Sequence, residues 1–561
     1  MLRPVPAGGV PAATAELAWR VHPKGTDEMR VRDALGPLFT DADFTGGVFA
    51  GMFPAGGQPG LSPAVLAMVT VLQFLHRLSD REAVQAVADR ISWKYALGWE
   101  LDATGFDASV LSEFRDRLAV PGRADGLLEL VLERLKEAGL LGSGQKVRTD
   151  STHVIAAVRV LNRIEHCGES LRAAAEEIAR ISPDWIVPLL NEGWYRRYGR
   201  KVETARLLGR GPGKTSPDKL AAQIGADGAA LLAAIDADAA AGWMNQLPEV
   251  AYLRLVWSQQ YRPGPGGTLV PTDPAQVPPS AARPQSPYDP DARWSSKNDG
   301  EITWVGSKAH LSETCDDDRP HLVTDVHTAP ATDPDAAATA FIADRLEQRG
   351  LTPGVHLFDS GYPSAAALAA ATARGTTVIA PITRPGRNAA AGTFTPAEFT
   401  IDWDQPTPTA TCPNGAVSIS ANPEGRGLVS FGFSRTDCTP CPIRTRCLRA
   451  QPPQARRLTI HPQPLHQARI AAIATENTED WQNKYRKRAG IEGTISQAVR
   501  GPDLRHARYH GLAKTHVQNT ASAIAINITR LGTHYANKQT KPRPATRIHH
   551  LCTTHGIITE T

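Results

Sequence analysis

The chain has 561 residues, too many for one ordinary core, and its 41% hydrophobic and 21% charged content is that of a globular protein of two or three domains. No apolar run approaches the roughly 20 residues that span a membrane, Met1-Leu2-Arg3-Pro4 lacks a signal core, and seven cysteines are too few and too scattered for a disulfide scaffold, so the expected place is the cytoplasm. The net charge of +4 hides an asymmetry: residues 481–561 hold 13 Lys+Arg against 3 Asp+Glu, a net +10, leaving −6 elsewhere, which points to a polyanion site near the C-terminus or to a solvated basic tail.

Residues 1–142 read as a helical domain. Ser62-Pro63 starts a helix with Pro at its first position, and Val65 to Leu75 is apolar on most faces, which predicts burial. Ser79-Asp80-Arg81-Glu82 is a capping-box pattern, and Asp107–Leu118 and Ala124–Ala138 complete a small bundle. Lys94, Tyr95, Arg115 and Arg117 could form a basic face for a polyanion such as DNA, although no helix-turn-helix is marked. Residues 144–154 alternate as a strand does. An insertion at 160–290 follows, helical to about 260 and then carrying nine prolines in the 28 residues from Pro263 to Pro290, which predicts an extended linker or surface loop.

Strand patterns return at Ile302–Thr314 and His321–His327, followed by a helix at Ala336–Arg349, a short strand at Val355–Asp359, a helix at Ser364–Arg374 and a strand at Thr376–Pro381. This order predicts an α/β fold with a mixed sheet covered by helices, an RNase H-like catalytic core over 143–386. Residues 387–480 read as a β-rich insertion with four cysteines. Helices resume at Trp481–Arg500 and Thr515–Tyr535, within a C-terminal catalytic segment 481–535, and 536–561 reads as a flexible tail.

Three carboxylates stand out. Asp150 lies in the first strand, Asp359 follows Val355-His356-Leu357-Phe358 and precedes Gly361, a residue suited to a sharp turn, and Glu492 sits on a basic helix. Two Mg²⁺ (or Mn²⁺) ions serving a phosphodiester need such hard oxygen ligands on rigid elements. Taken singly, each Asp is more ordinarily a cap or turn residue; together and in this order of elements they favour a two-metal site. Tyr485, Arg488 and Glu492 share one face of a helix of 3.6 residues per turn, where Arg and Tyr can hold a phosphate. The plainer alternative is a surface Arg–Glu pair at i,i+4.

Cys412, Cys438, Cys441 and Cys447 follow the spacing C-x25-C-x2-C-x5-C, which suits a structural Zn²⁺ in a subdomain with little core of its own. Free or redox-active thiols are the alternative. Cys167, Cys315 and Cys552 have no matching partners.

The run Tyr485, Arg488, Glu492 resembles the helical motif of DDE transposases of the insertion-sequence type, in the IS4/IS5 grouping and most like the IS1182 family. The family's Lys falls on Val499; Arg500, one residue on, is rotated about 100° around the helix. Arg505 to His516, Tyr288 to Trp294, Trp304 to His310, and Leu78-Ser79-Asp80-Arg81 through Trp93 to Gly98 resemble further segments of the family. The resemblance implies that Asp150, Asp359 and Glu492 hold two metal ions, that water cuts at the element's end to free a 3′-OH, and that this 3′-OH attacks target DNA. Tyr485, Arg488, Arg500, Arg505, Arg508 and Lys514 are then the expected DNA contacts. The partners implied are double-stranded DNA, as terminal repeats and target, and a second copy of the chain in a homodimer. A nuclease that cuts without joining and a catalytically inactive DNA-binding protein are the competing readings.

Overall fold

The computed structural model describes residues 8–555 except 55, 57–59, 203–214, 266–267, 383–393, 449–451, 477 and 537–546. A six-stranded mixed sheet carries the architecture. Its strands are β1 (Lys146–Ile155), β2 (Arg293–Lys297), β3 (Ile302–Thr314), β4 (Val323–Pro330), β5 (Val355–Leu357) and β6 (Thr377–Ile379). β3 pairs antiparallel with β1, β2 and β4; β1 pairs in parallel with β5, and β5 in parallel with β6. The path β4-β3-β1-β5-β6, antiparallel on one side and parallel on the other, is compatible with an RNase H-like core. β1 and β2 both meet β3 at Gly306, where a Cβ would stand 2.0 Å from the Val154 carbonyl oxygen, so the backbones can pass only at glycine.

The strand read over Ile302–Thr314 has those bounds. The one read from His321 begins at Val323, because the Leu322 N–H is still turning back to the Thr314 hydroxyl. The strand before Asp359 stops at Leu357, although Phe358 still donates to the Ile379 carbonyl, which leaves Asp359 just past the strand end.

The N-terminal helices form as their patterns predict. Ser62 caps Pro63–Leu75, which is buried from Leu66 to Phe74, and Ser79 and Glu82 exchange both capping-box hydrogen bonds. These helices do not keep their core to themselves. Helix Leu512–Tyr535 runs between them and the sheet, and one apolar cluster joins Leu72, Phe114 and Leu128 to Ala309, Val326, Ile524 and Leu531. Asn527, buried on that helix, both accepts from the Val323 N–H and donates to its carbonyl. Lys94 and Arg115, read as part of a DNA-binding face, are instead buried. The Lys94 ammonium donates to the Leu101 and Ala103 carbonyls, and Arg115 pairs with Asp80 beneath the Tyr509 ring.

The 160–290 insertion has its own core, with Leu171 and Ile178 of helix Arg163–Ile181 packed among Ile224, Leu231, Val256 and Trp257. Its helix Pro217–Ala237 is long and apolar enough to cross a membrane by length and composition, but it is alanine-rich and turns Leu220, Ile224, Leu231 and Ile235 into that core. The proline-rich stretch is not a free linker. It contains the hairpin Tyr261–Pro263/Leu269–Pro271 and short 3-10 turns, and Arg163 anchors it through the Gln260 and Thr272 carbonyls. The cysteine-containing region forms a two-stranded and a three-stranded sheet around Phe399, Phe431, Phe433 and Leu458. The boundary read at 386/387 lies outside the described residues. Within the stretch read as a flexible tail, Arg547–Thr554 is helical, and residues 537–546 and 556–561 lie outside the described residues.

Two buried charge networks fix the layers. Asp325 of β4 takes two hydrogen bonds from Arg345 and one from Arg349, and Asp125 of the N-terminal helices faces the same arginines and His516. Burial works to raise the Asp125 carboxyl, but the His516 hydrogen bond and the three cationic neighbours outweigh it and hold it at about 2. The second network clamps the sheet to the C-terminal helices. Glu313 of β3, fully buried, accepts from Arg148 Nε at 2.7 Å, from the Thr494 hydroxyl at 2.6 Å and from Arg530. Arg148 Nη1 also donates to the Lys487 carbonyl at 2.7 Å, and a Cβ on Gly490 would stand 1.9 Å from that nitrogen.

Two outcomes are expected. A folded pKa below the ordinary 3.8 means that Asp125 stabilises fully above that pH, with the contribution lost as the pH falls towards about 2. Asp125→Asn should therefore cost about 1–2 kcal/mol at pH 7, and the gap between variant and wild type in urea unfolding should close in acid. Gly490→Ala should lower thermal stability by about 1–3 kcal/mol through overpacking, and the loss should shrink when Arg148 is shortened to Ala in the same chain.

Candidate active site

Side chains alternate across a strand, so Arg148, Asp150 and Thr152 share one face of β1. All three meet the same C-terminal segment. Arg148 holds the Lys487 carbonyl, Asp150 Oδ2 accepts from Arg488 Nη2 at 2.8 Å, and the Thr152 hydroxyl accepts from Arg505 Nε at 3.1 Å. Beyond them the backbones of Ile155 and His506 bridge.

The segment from Glu479 to Arg500 is not one uniform α-helix. Glu479–Arg486 tightens into a 3-10 turn at Lys487–Ala489 before Gly490–Arg500 continues. Arg488 lies in that turn. Its Nη1 makes the i,i+4 contact to Glu492 at 3.3 Å, while Nη2 reaches Asp150 at 2.8 Å and Asp359 at 3.9 Å. One guanidinium thus touches all three carboxylates picked out in the sequence. Its Nε is buried and has no hydrogen-bond partner among the described residues.

The carboxylates differ in setting. Asp150 is 13% exposed, Asp359 33% and Glu492 66%, so the cluster opens towards the Glu492 side. Burial raises the Asp150 carboxyl, Arg488 opposes that, and the charge of Asp359 adds to it. Asp359 Oδ1 accepts the Gly361 N–H at 2.8 Å. Gly361, read as suited to a sharp turn, lies in a turn but without positive φ, and it supplies that N–H and room for the carboxylate, since a Cβ would stand 3.0 Å from Asp359 Oδ1. Tyr485 stacks on Trp481, ring centroids 4.7 Å apart, and burial raises its hydroxyl, with the charges of Arg488, Asp359, Asp150 and Glu492 all acting on it.

The other expected DNA contacts are spread out. Arg500 is exposed at the end of its helix, and Val499 beside it is partly buried against the core. Arg508 donates to the Leu78 carbonyl at 2.6 Å and lies over the Phe74 ring, and Lys514 pairs with Asp116 at 2.5 Å; both tie this segment to the N-terminal helices.

Sequence reasoning missed the layer behind the triad. On the opposite face of β1, the Ser151 hydroxyl donates to Asp335, which also pairs with Lys308 at 3.0 Å. Buried Tyr362 shares a 2.7 Å hydrogen bond with His310, whose ring burial depresses to about 3 and thereby keeps neutral. Lys308 and His310 stand in the run Gly306 to His310, and that run was their only signal.

The donor chemistry fits divalent metal. Three hard oxygen donors converge, one of them held at a burial cost that a cation would offset. Among the described residues no three His, Cys, Asp or Glu side chains are arranged to hold an ion, and at the triad the guanidinium lies among the carboxylates. The four cysteines share one neighbourhood. Cys412, Cys438 and Cys447 pack against the Phe431 core, and burial raises the Cys447 thiol, with Cys438, Cys412 and Cys441 adding to the effect.

Two family models match the chain. The model described as transposase DDE domain covers residues 411–532, with Glu492 and the cysteines, and the transposase domain DUF772 covers 26–117. Residues 118–410, with Asp150 and Asp359, fall in neither. No curated protein and no solved structure matches. The chain thus carries a transposase DDE domain and a DUF772 transposase domain, the combination typical of IS1182-family transposases.

Proposed function

We propose that this transposase cuts the ends of its own insertion sequence by metal-dependent hydrolysis and joins the freed 3′-OH ends to target DNA, with Asp150, Asp359 and Glu492 as its catalytic carboxylates. The observation that carries this reading is the meeting of those three side chains, from a strand, a strand end and a helix, on one guanidinium. Two Mg²⁺ or Mn²⁺ ions held there would polarise the phosphodiester, activate the attacking oxygen and stabilise the departing 3′ oxygen.

The chain's own part is binding and alignment. Tyr485, half-buried beside the triad, and Arg488 offer an O–H and N–H donors to a phosphate next to the scissile bond. Arg505, at the edge of the same face, and exposed Arg500 are suited to backbone contacts further along the duplex. Arg508 and Lys514 serve DNA binding by locking the N-terminal helices to this segment. Attack by water frees the 3′-OH, and attack by that 3′-OH on a target phosphodiester exchanges one P–O bond for another, so no covalent protein–DNA link is required. Two element ends call for two copies of the chain, acting on chromosomal DNA in the cytoplasm. A Zn²⁺ ion held by Cys412, Cys438, Cys441 and Cys447 would supply a cross-link to a subdomain whose apolar core is small.

The deciding experiment incubates labelled DNA carrying the element's own ends with Mg²⁺ or with EDTA. Release of a 3′-OH and its joining to a second DNA are expected with Mg²⁺ only; cutting without joining would overturn the transfer step. Asp150→Asn, Asp359→Asn and Glu492→Gln should each bind DNA yet cut it at least ~10³-fold more slowly, and wild-type cutting by any of them would remove that residue from the site. For the cysteines, elemental analysis of the purified chain should find one zinc per molecule, lost in Cys438→Ser together with thermal stability.

A further inference from the structure

Arg488 stands where it should interfere with metal binding. Its guanidinium contacts Asp150, Asp359 and Glu492 at 2.8, 3.9 and 3.3 Å, and among the described residues no other cationic group pairs with all three. A single positive charge facing three negative ones leaves the cluster under-neutralised, and the chain relieves little of that elsewhere. Lys308, behind the triad, is paired with Asp335, and Lys487 in the same 3-10 turn is turned away to Asp317. Two features show that Arg488 is not settled there for good. Its Nε is buried without an acceptor among the described residues, so one of its strong donors is unsatisfied. It also springs from a 3-10 turn held at the Lys487 carbonyl by Arg148, so its backbone is fixed and any departure of the guanidinium is a side-chain rotation.

We propose that Arg488 is a resident counter-ion, which neutralises the three carboxylates while neither metal nor DNA is bound and competes directly with divalent cations for them. Metal can enter fully only as the guanidinium leaves, and the group best able to draw it away is a phosphodiester, which offers two oxygens to its fork and satisfies Nε as well. Metal and DNA then promote each other's binding, because each removes what opposes the other. The chain guards its metal site until a substrate is present. This rests on the catalytic reading of the triad above, and it assigns Arg488 a role in positioning charge before any chemistry begins.

The test measures Mn²⁺ binding to the full chain without DNA, reading free Mn²⁺ by electron paramagnetic resonance, for wild type, Arg488→Gln, Arg488→Lys and Asp150→Asn. Circular dichroism confirms that each is folded. The expected result is that Arg488→Gln binds Mn²⁺ about ten-fold more tightly than wild type, that Arg488→Lys, which keeps the charge, stays within about three-fold of wild type, and that Asp150→Asn binds more weakly. Equal or weaker binding by Arg488→Gln, with binding still lost in Asp150→Asn, would overturn the counter-ion role and leave the triad intact. Wild-type binding by Asp150→Asn would overturn the triad itself, and the counter-ion with it. If Arg488→Gln is unfolded, Arg488→Met, which keeps the bulk without the charge, takes its place: the same gain in Mn²⁺ affinity is expected, and equal or weaker binding overturns the proposal.

Discussion

The spacing of Asp150 and Glu492 depends on one buried carboxylate, Glu313. It sits in the middle strand of the antiparallel half of the sheet and gathers Arg148 from the neighbouring strand, Thr494 from the helix of Glu492 and Arg530 from the long helix behind it. A buried anion with no partner would be unsustainable, and a buried anion with three well-placed donor contacts becomes a register pin. Because Arg148 lies two residues from Asp150, and Thr494 two residues from Glu492, the pin sets the spacing between the two carboxylates without touching either. The position of the third is set separately, by the short parallel strands and the Gly361 N–H.

Such pins explain where the sequence could be read and where it could not. The strand Ile302–Thr314 is legible at both ends because it is long and bounded by turns. The buried helix Pro63–Leu75 is legible because Ser62-Pro63 marks its start and its faces are almost all apolar. The three catalytic candidates could be singled out because each ends a local pattern. Glu313, Arg148 and Arg530 could not, since no local pattern links residues so far apart in the chain, and only the folded sheet makes them neighbours. Lys94 and Arg115 misled for the opposite reason: charge normally marks surface, and here carbonyl oxygens and Asp80 make burial tolerable. The motif helix was legible as helix, but its 3-10 turn at Lys487–Ala489 was not. That turn is imposed from outside, by Arg148 drawing on the Lys487 carbonyl across the bare Cα of Gly490.

The insertions follow a different rule. Each carries a core of its own, and the catalytic sheet tolerates them because both leave it at strand ends, where the chain is already turning towards solvent. The proline-rich stretch shows how little composition says about order. Its backbone has few N–H groups to satisfy, so a handful of contacts from Arg163 and the short hairpin suffice to hold it.

The long helix Leu512–Tyr535 has a consequence for how the molecule comes into being. Arg30 donates to the Gly532 carbonyl, and Gly532 packs so closely on Asp27 that a Cβ there would lie 2.5 Å from its side chain. The N-terminal helices therefore complete their packing with a helix, Leu512–Tyr535, that leaves the ribosome long after them. Until then their apolar faces have no shelter, which exposes the nascent chain to aggregation and chaperones for most of its synthesis. A chain cut short before Leu512 would thus leave its N-terminal helices without the surface that completes their packing.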